Sequence, residues 1–335
     1  MSEGNSQRDQ DLEDNIAPTP AVGIAFTATY GTISIRHPDG SFEDIGRIDA
    51  SEQYISMIQR LSSPEKKHLS PPYSSFENRF HDVPRQYLRG LKKRLGLAAS
   101  SDVKILAEML RPLLDLHPIE GKFPTVVMSY PPIVALYNED IVDAAAYLKV
   151  GAQDGAHFYQ PREIVAAFAG YGRGLCSHPD DRRRCLDELI ALPDAQVLHV
   201  EYTKKAMIFH GATLRGAQDF AEGDLDARAL YDMGSEQRYK EDFLSMVQEY
   251  VTEFVTEWQK YSPHTPDMVL IMTGDEENVR DEAVKEAIRH AMETVGMSSV
   301  ETLDSMPEYI AARGAAELCE RGKGFYSEGK VHPGL

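Results

Sequence analysis

Basic residues are scarce in this chain: 35 Lys and Arg stand against 53 Asp and Glu, a formal charge of −18. A surface that binds nucleic acid or an anionic membrane shows a dominant basic patch, and none stands out here, so neither partner is expected. Cysteine is scarce too. Cys176, Cys185 and Cys319 form no close metal-type pair and are odd in number, so reduced thiols and a cytoplasmic or nuclear location are expected. No apolar run is long enough to span a bilayer, and no leader is expected at the N-terminus. Met1 to Pro20 has almost nothing to bury, which predicts a disordered tail over 1–20. The remainder has the apolar share, 42%, of a globular protein with a real core, and 335 residues suffice for two lobes.

The folded part opens with AVGIAFTATYGTISI, Ala21 to Ile35. Val22, Ile24 and Phe26 alternate with small residues, and Ile33 and Ile35 resume the alternation, as in two strands joined by a tight turn. The small residues Ala28, Thr29 and Gly31 at the bend would let backbone N–H groups approach an anion, although a plain hairpin has the same pattern. The His37–Gly40 turn then leads to a third strand, Phe42 to Ile48. The turn-rich stretch from Leu61 to Phe80 reads as a surface insertion. Helices are predicted over Val83–Leu97 and Ser101–Leu116, the second bent or ended at Pro112.

A strand, Thr125 to Tyr130, a helix, Glu139 to Leu148, and an alanine-rich helix, Glu163 to Gly172, follow. The run Pro179-Asp180-Asp181-Arg182-Arg183-Arg184 invites a metal or diphosphate reading, but carboxylates flanked by three arginines fit a solvated helix start better. A second hairpin, Gln196 to Val200 and Ala206 to Phe209, precedes the helix with the clearest spacing, Arg238 to Lys260. A strand, Met268 to Met272, ends at Thr273-Gly274-Asp275, and helices over Glu282–Val295 and Pro307–Arg321 close the chain. In the last, Gly314 among Ala311, Ala312, Ala315 and Ala316 makes a flat face suited to another helix.

The order of these elements resembles the ATPase domain of the seventy-kilodalton heat-shock chaperones, in the actin and sugar-kinase superfamily, from about Val22 to Arg321. VGIAFTATYG looks like that family's first phosphate loop, VVMSYPPI and QPREIVAAFAGYG like its next two segments, VLHVEYTKKA like its second phosphate loop, VLIMTGDEENV like its adenosine loop and PEYIAARGAAE like its closing helix. The resemblance implies an α/β fold of two ribonuclease H-like lobes around a central cleft, each on a mixed sheet of about five strands. Lobe I would span 21–172 with a helical insertion at about 50–120. Lobe II would span 173–335 with a shortened upper subdomain, and the helix at 307–321 would pack back at the cleft base.

The departures fall on residues the family's chemistry uses. Its first-loop aspartate, which helps organise magnesium, is Ala25, and the following Gly-Thr-Thr is Thr27-Ala28-Thr29. Its glutamate that positions water is Gln160, which cannot act as a base. The second-loop aspartate is Glu201, and the glycines that let backbone approach phosphate have become Thr203-Lys204-Lys205. Gly274 is the one recognisable adenosine-loop residue, and the charged helix that grips adenine in the family is missing. The candidate cleft residues are therefore Thr27, Ala28, Thr29, Glu201, Thr203, Lys204, Lys205 and Gly274, with Glu201 the one candidate metal ligand.

Three functions follow from different classes. The first is a degenerate ATPase fold without hydrolysis, acting as scaffold or regulator through an unidentified protein partner. The second is an ATPase or kinase with rearranged ligands, Lys204 and Lys205 neutralising phosphates while Glu201 holds magnesium. The third is an enzyme of other chemistry with a small-molecule ligand in the cleft, since fold does not fix function. No cofactor is assigned, and ATP with magnesium is the candidate that the resemblance implies.

Overall fold

The structure is a computed structural model that describes residues 20–116, 126–152, 160–217, 227–261, 267–297 and 299–327. Strands β1 (Ala21–Phe26), β2 (Tyr30–Arg36) and β3 (Phe42–Asp49) form a meander. Helices α1 (Glu52–Leu61), α2 (Phe76–Arg94) and α3 (Ser101–Asp115) lead to β4 (Val126–Ser129), α4 (Asn138–Tyr147) and α5 (Glu163–Gly170). The second half runs α6 (Arg182–Ala191), β5 (Ala195–Tyr202), β6 (Met207–Leu214), β7 (Arg228–Leu230), α7 (Phe243–Trp258), β8 (Asp267–Gly274), α8 (Glu282–Thr294), β9 (Ser299–Leu303) and α9 (Ile310–Ser327). The disordered tail expected over 1–20 lies outside the described residues except for Pro20.

Two sheets, ordered β3-β2-β1-β4 and β7-β6-β5-β8-β9, repeat one plan. In each, an antiparallel hairpin gains a third antiparallel strand on one side and a parallel strand on the other, β4 beside β1 and β8 beside β5. This is the two-lobed actin-like α/β fold. The first sheet has four strands among the described residues, not five, because β9 has no counterpart there.

The alternation in β1 is an alternation of size, since all six residues are buried. Val22, Ile24 and Phe26 enter the core built with α1, α3 and α4, whereas Ala21 and Ala25 face α5 and α9. The small face is needed because α9 lies directly on the sheet: a Cβ at Gly23 would sit 2.1 Å from both Ala312 O and Ala316 N. The flat face of α9 meets α5 in the same way, and a Cβ at Gly314 would sit 1.7 Å from Ala166 O. Helix backbones in such contact fix both lobes to one hinge-like pair.

Three expectations need correction. Helix α2 begins at Phe76, inside the stretch read as insertion, because Ser75 caps it by accepting the Asn78 N–H at 3.1 Å. Pro112 neither ends nor visibly interrupts α3, which continues to Asp115 with Leu113 and Leu114 buried. Cys176 and Cys185 are joined in a disulfide, and Cys319 alone is free. Asp181 caps α6 and so turns Cys185 back onto Cys176, with the Cα atoms 5.1 Å apart. The thiol argument for a reducing compartment is thereby removed. Among the described residues no helix is long and apolar enough to cross a membrane.

Candidate functional site

Two turns meet between the sheets. The first, Thr27–Thr29, is closed by the Thr27 hydroxyl, which donates to Tyr30 O at 2.9 Å and accepts from the N–H groups of Thr29 and Tyr30. The Tyr54 hydroxyl donates to Thr27 O at 2.9 Å, and the Ala50 N–H to Thr29 O at 2.8 Å, so lobe I holds this turn from below. The Ala28 N–H reaches across instead and donates to Glu201 Oε1 at 2.7 Å.

The second turn joins β5 to β6. Thr203 closes it through N–H and hydroxyl bonds to Ala206 O, and the Lys204 N–H donates to Asp275 Oδ2 at 2.9 Å. On its outer side the N–H groups of Ser235 and Glu236 donate to Thr203 O and Lys204 O. The side chains of Lys204 and Lys205 are exposed, and Lys205 Nζ pairs with Glu236 Oε2 at 2.9 Å.

Gly274, after β8, has φ +122 and its absent Cβ would lie 2.1 Å from Tyr202 O, so only glycine lets the chain turn there. The turn delivers Asp275, which is buried and accepts from the Asn278 amide at 3.0 Å as well as from Lys204. Arg47 on β3 completes a clasp between the sheets. Its Nη2 donates to Asp275 Oδ1 at 2.7 Å and its Nη1 to Glu308 Oε1 at 2.8 Å, while the guanidinium lies 3.8 Å over the Tyr30 ring. These carboxylates, Asp275 foremost, outweigh the cost of burial and hold the guanidinium charged well past its ordinary range.

The deepest part of the site is a pair of carboxyls. One face of β5 carries Val197, His199 and Glu201, opposite the residues that enter the lobe II core, so β5 alternation sends Glu201 toward α5. Glu163, the first residue of α5, meets it there, and both are fully buried. Burial pushes Glu163 up to about 7, against hydrogen bonds to Glu201 and Thr273 that pull it down. Glu201 is pushed well above the usual carboxyl range by burial first and by the Glu163 charge second. Glu163 Oε2 and Glu201 Oε2 have no hydrogen-bond partner, and burial favours the protonated form of both carboxyls.

Thr273 and His199 extend the pair. The Thr273 hydroxyl donates to Glu163 Oε1 at 2.7 Å, and His199 Nε2 lies 2.9 Å from the same hydroxyl oxygen. Burial, then His210, push His199 down to about 3, which keeps the imidazole neutral. Tyr30 is buried beside the pair with a hydroxyl that has no hydrogen-bond partner, and burial followed by the Glu163 and Glu201 charges raises its pKa.

The structure thus brings Ala28, Glu201, the Lys204 backbone and Gly274 together, whereas Thr27 and Thr203 serve their own turns and Lys205 faces outward. Thr29 Oγ1 is buried without a hydrogen-bond partner. Ala25 packs in the small-residue cluster with α5 and α9. Gln160 is structural: its Oε1 accepts the Met128 N–H at 2.6 Å and its N–H donates to Asn138 Oδ1 at 2.7 Å. Glu163, Asp275 and Arg47 were missed from sequence. The available signal for Glu163 was a charged residue opening the otherwise apolar helix EIVAAFAG.

ATP with magnesium is the group such a fold implies. Its phosphates need unengaged N–H groups and its metal needs ionised carboxylates. Here the N–H groups of Ala28 and Lys204 already hold carboxyl oxygens, and burial disfavours the ionised forms of Glu163 and Glu201, so the residues present do not fit that group. Among the described residues no cluster of three or more His, Cys, Asp or Glu is placed to hold a metal ion.

No family model matches the chain, and comparison with curated protein sequences finds no match. Among solved structures the chain is similar to the inorganic polyphosphate/ATP-glucomannokinase from Arthrobacter sp. strain KM, at 12% identity over 90% of this chain and 99% of that one, with TM-score 0.45. It is also similar to ethanolamine utilization protein EutJ from Carboxydothermus hydrogenoformans, at 8% identity over 90% of each chain, with TM-score 0.42. The fold assignment stands on the repeated sheet plan and the α5–α9 contact.

Proposed function

We propose that this chain is a heat-shock-chaperone-like member of the actin-like class that does not hydrolyse ATP and works as a scaffold or regulator through its surface, its lobes dividing near residue 172. One observation carries the reading: the Ala28 N–H in the first phosphate loop is held by Glu201 Oε1 at 2.7 Å. Lys204 and Asp275 repeat the arrangement in the second loop. A phosphate arriving at either N–H would have to break that bond and leave the displaced carboxyl without its donor.

A second reading, an enzyme of other chemistry in the same cleft, is favoured by the carboxyl pair itself, because acids with raised pKa values are the usual means of proton transfer near pH 7. The test is thermal unfolding with ATP and magnesium, together with a phosphate-release assay. A ligand at a hundredfold its dissociation constant would stabilise the fold by about 2.7 kcal/mol, a shift easily read. We expect no shift and no turnover. Steady ATP turnover that Glu201→Ala abolishes would replace this reading with the rearranged-ligand one.

A further inference from the structure

Helix α2 presents its apolar side to solvent. Phe76, Phe80, Val83, Tyr87, Leu91 and Leu95 recur at helical spacing along one face and are 82%, 67%, 52%, 68%, 42% and 67% exposed. The polar face docks on α4 instead. Arg89 is buried there, with Nη1 2.8 Å from Asp140 Oδ1 and Nη2 2.7 Å from Asp143 Oδ2, and Lys93 Nζ lies 2.7 Å from Asp143 Oδ1. Arg85 pairs with Glu139 and with Asp82, and the Gln86 amide donates to Glu139 Oε2 at 2.6 Å. Rotating α2 to bury its apolar face would strand these charges, each a heavy loss when buried. The outward direction of the stripe is therefore built in.

At these exposures, six large side chains present roughly 800 Å², well beyond the few hundred Å² of an ordinary apolar patch. Two such faces together would bury about 1,600 Å², the size of a stable interface. The tail at 1–19 offers only Met1, Leu12 and Ile16 as large apolar side chains, too few to cover the stripe.

We propose that this face is a homodimer interface in which α2 packs antiparallel against α2 of a second copy, about a two-fold axis passing at Arg85–Gln86. In that register Phe76 faces the partner's Leu95, Phe80 the partner's Leu91 and Val83 the partner's Leu88. Glu77, exposed near the helix start, faces the partner's Arg94 at the helix end, so the symmetry makes two such ion pairs and opposes the helix dipoles. A parallel pairing would set Glu77 against Glu77.

Sedimentation equilibrium of the full chain over a range of concentrations tests this. The wild type should reach twice 37.4 kDa. Phe80→Glu with Leu91→Glu should stay at 37.4 kDa with an unchanged far-ultraviolet spectrum, since both residues are exposed. Glu77→Arg should raise the dissociation constant about tenfold, and adding Arg94→Glu should restore it. A wild-type chain that is monomeric at every concentration overturns the proposal. So does a dimer indifferent to both sets of changes, or a monomer that sediments with phosphatidylserine vesicles, which would make the stripe a lipid contact.

Discussion

Replacing Gly314 by alanine adds one methyl group, and the sign of its effect tests how the lobes are joined. In an uncrowded helix alanine is about 1 kcal/mol better than glycine, so stability would rise. In this fold the new Cβ would lie 1.7 Å from Ala166 O and 2.7 Å from both Ala166 C and Gly170 N, all backbone atoms of α5 that cannot rotate aside. Ordinary contact begins near 3.4 Å, so α5 and α9 would have to draw apart by more than 1 Å along their line of contact. That would loosen the packing of Ala169, Ala311 and Ala315 at once, at a cost of about 3 kcal/mol or more after the helix-propensity gain. For a chain of this size the loss corresponds to a fall in Tm of roughly 5 °C. Gly90 in α2 is the control, because nothing lies within 4 Å of its Cβ position, and Gly90→Ala should therefore gain up to about 1 kcal/mol. Urea and thermal unfolding followed by circular dichroism give both signs. A Gly314→Ala protein that melts at or above the wild type would refute the backbone-to-backbone contact.

Arg47→Ala should cost about 2 to 4 kcal/mol in urea unfolding, because it leaves buried Asp275 without its cation and Tyr30 without the guanidinium over its ring; Arg47→Lys should recover only part, lacking the planar fork. A loss below about 0.5 kcal/mol would mean that the clasp contributes nothing. The carboxyl pair should make the fold less stable as pH rises. Its folded pKa values lie above the unfolded ones, Glu163 at about 7 against an ordinary 4.5, so between those pH values the native state binds more protons than the unfolded state and stability falls with pH. Glu163→Gln should flatten that fall, measured as the urea midpoint from pH 5 to 8, and a wild-type midpoint that rises over this range would contradict the raised pKa values.

What the sequence made legible is what local pattern controls. The large-and-small alternation of β1, the 3-4 spacing of α7 and the glycine among alanines in α9 each name the surface that the element buries, and each element lies where its pattern put it. The edge strands β7 and β9 were not legible: RAL and SVETL are short and only partly buried or exposed, so no face of theirs is selected strongly enough to leave an alternation. The start of α2 was hidden for a related reason. Its apolar residues face solvent and its buried face is made of Asp82 and Arg89, the reverse of the usual code.

The departures from the resembled pattern were legible in the sequence as missing glycines and carboxylates, whereas the contacts made at those positions were not. Thr203-Lys204-Lys205 could be read as glycines gone, but the carboxylate that takes the Lys204 N–H comes from Asp275, more than seventy residues along the chain. Likewise Ala25 and Gln160 could be read as carboxylates gone, while Glu163, three residues past Gln160 at the start of α5, places a buried carboxyl beside Glu201. Long-range pairing of this kind leaves no local signature, since each partner alone has the ordinary look of a surface acid. The N–H groups of Ala28 and Lys204 need acceptors where the turns meet, and carboxyls supplied by the chain itself meet that need. Burial raises the pKa values of Glu163 and Glu201 together, which limits the negative charge held between the lobes, where two ionised carboxylates would repel each other.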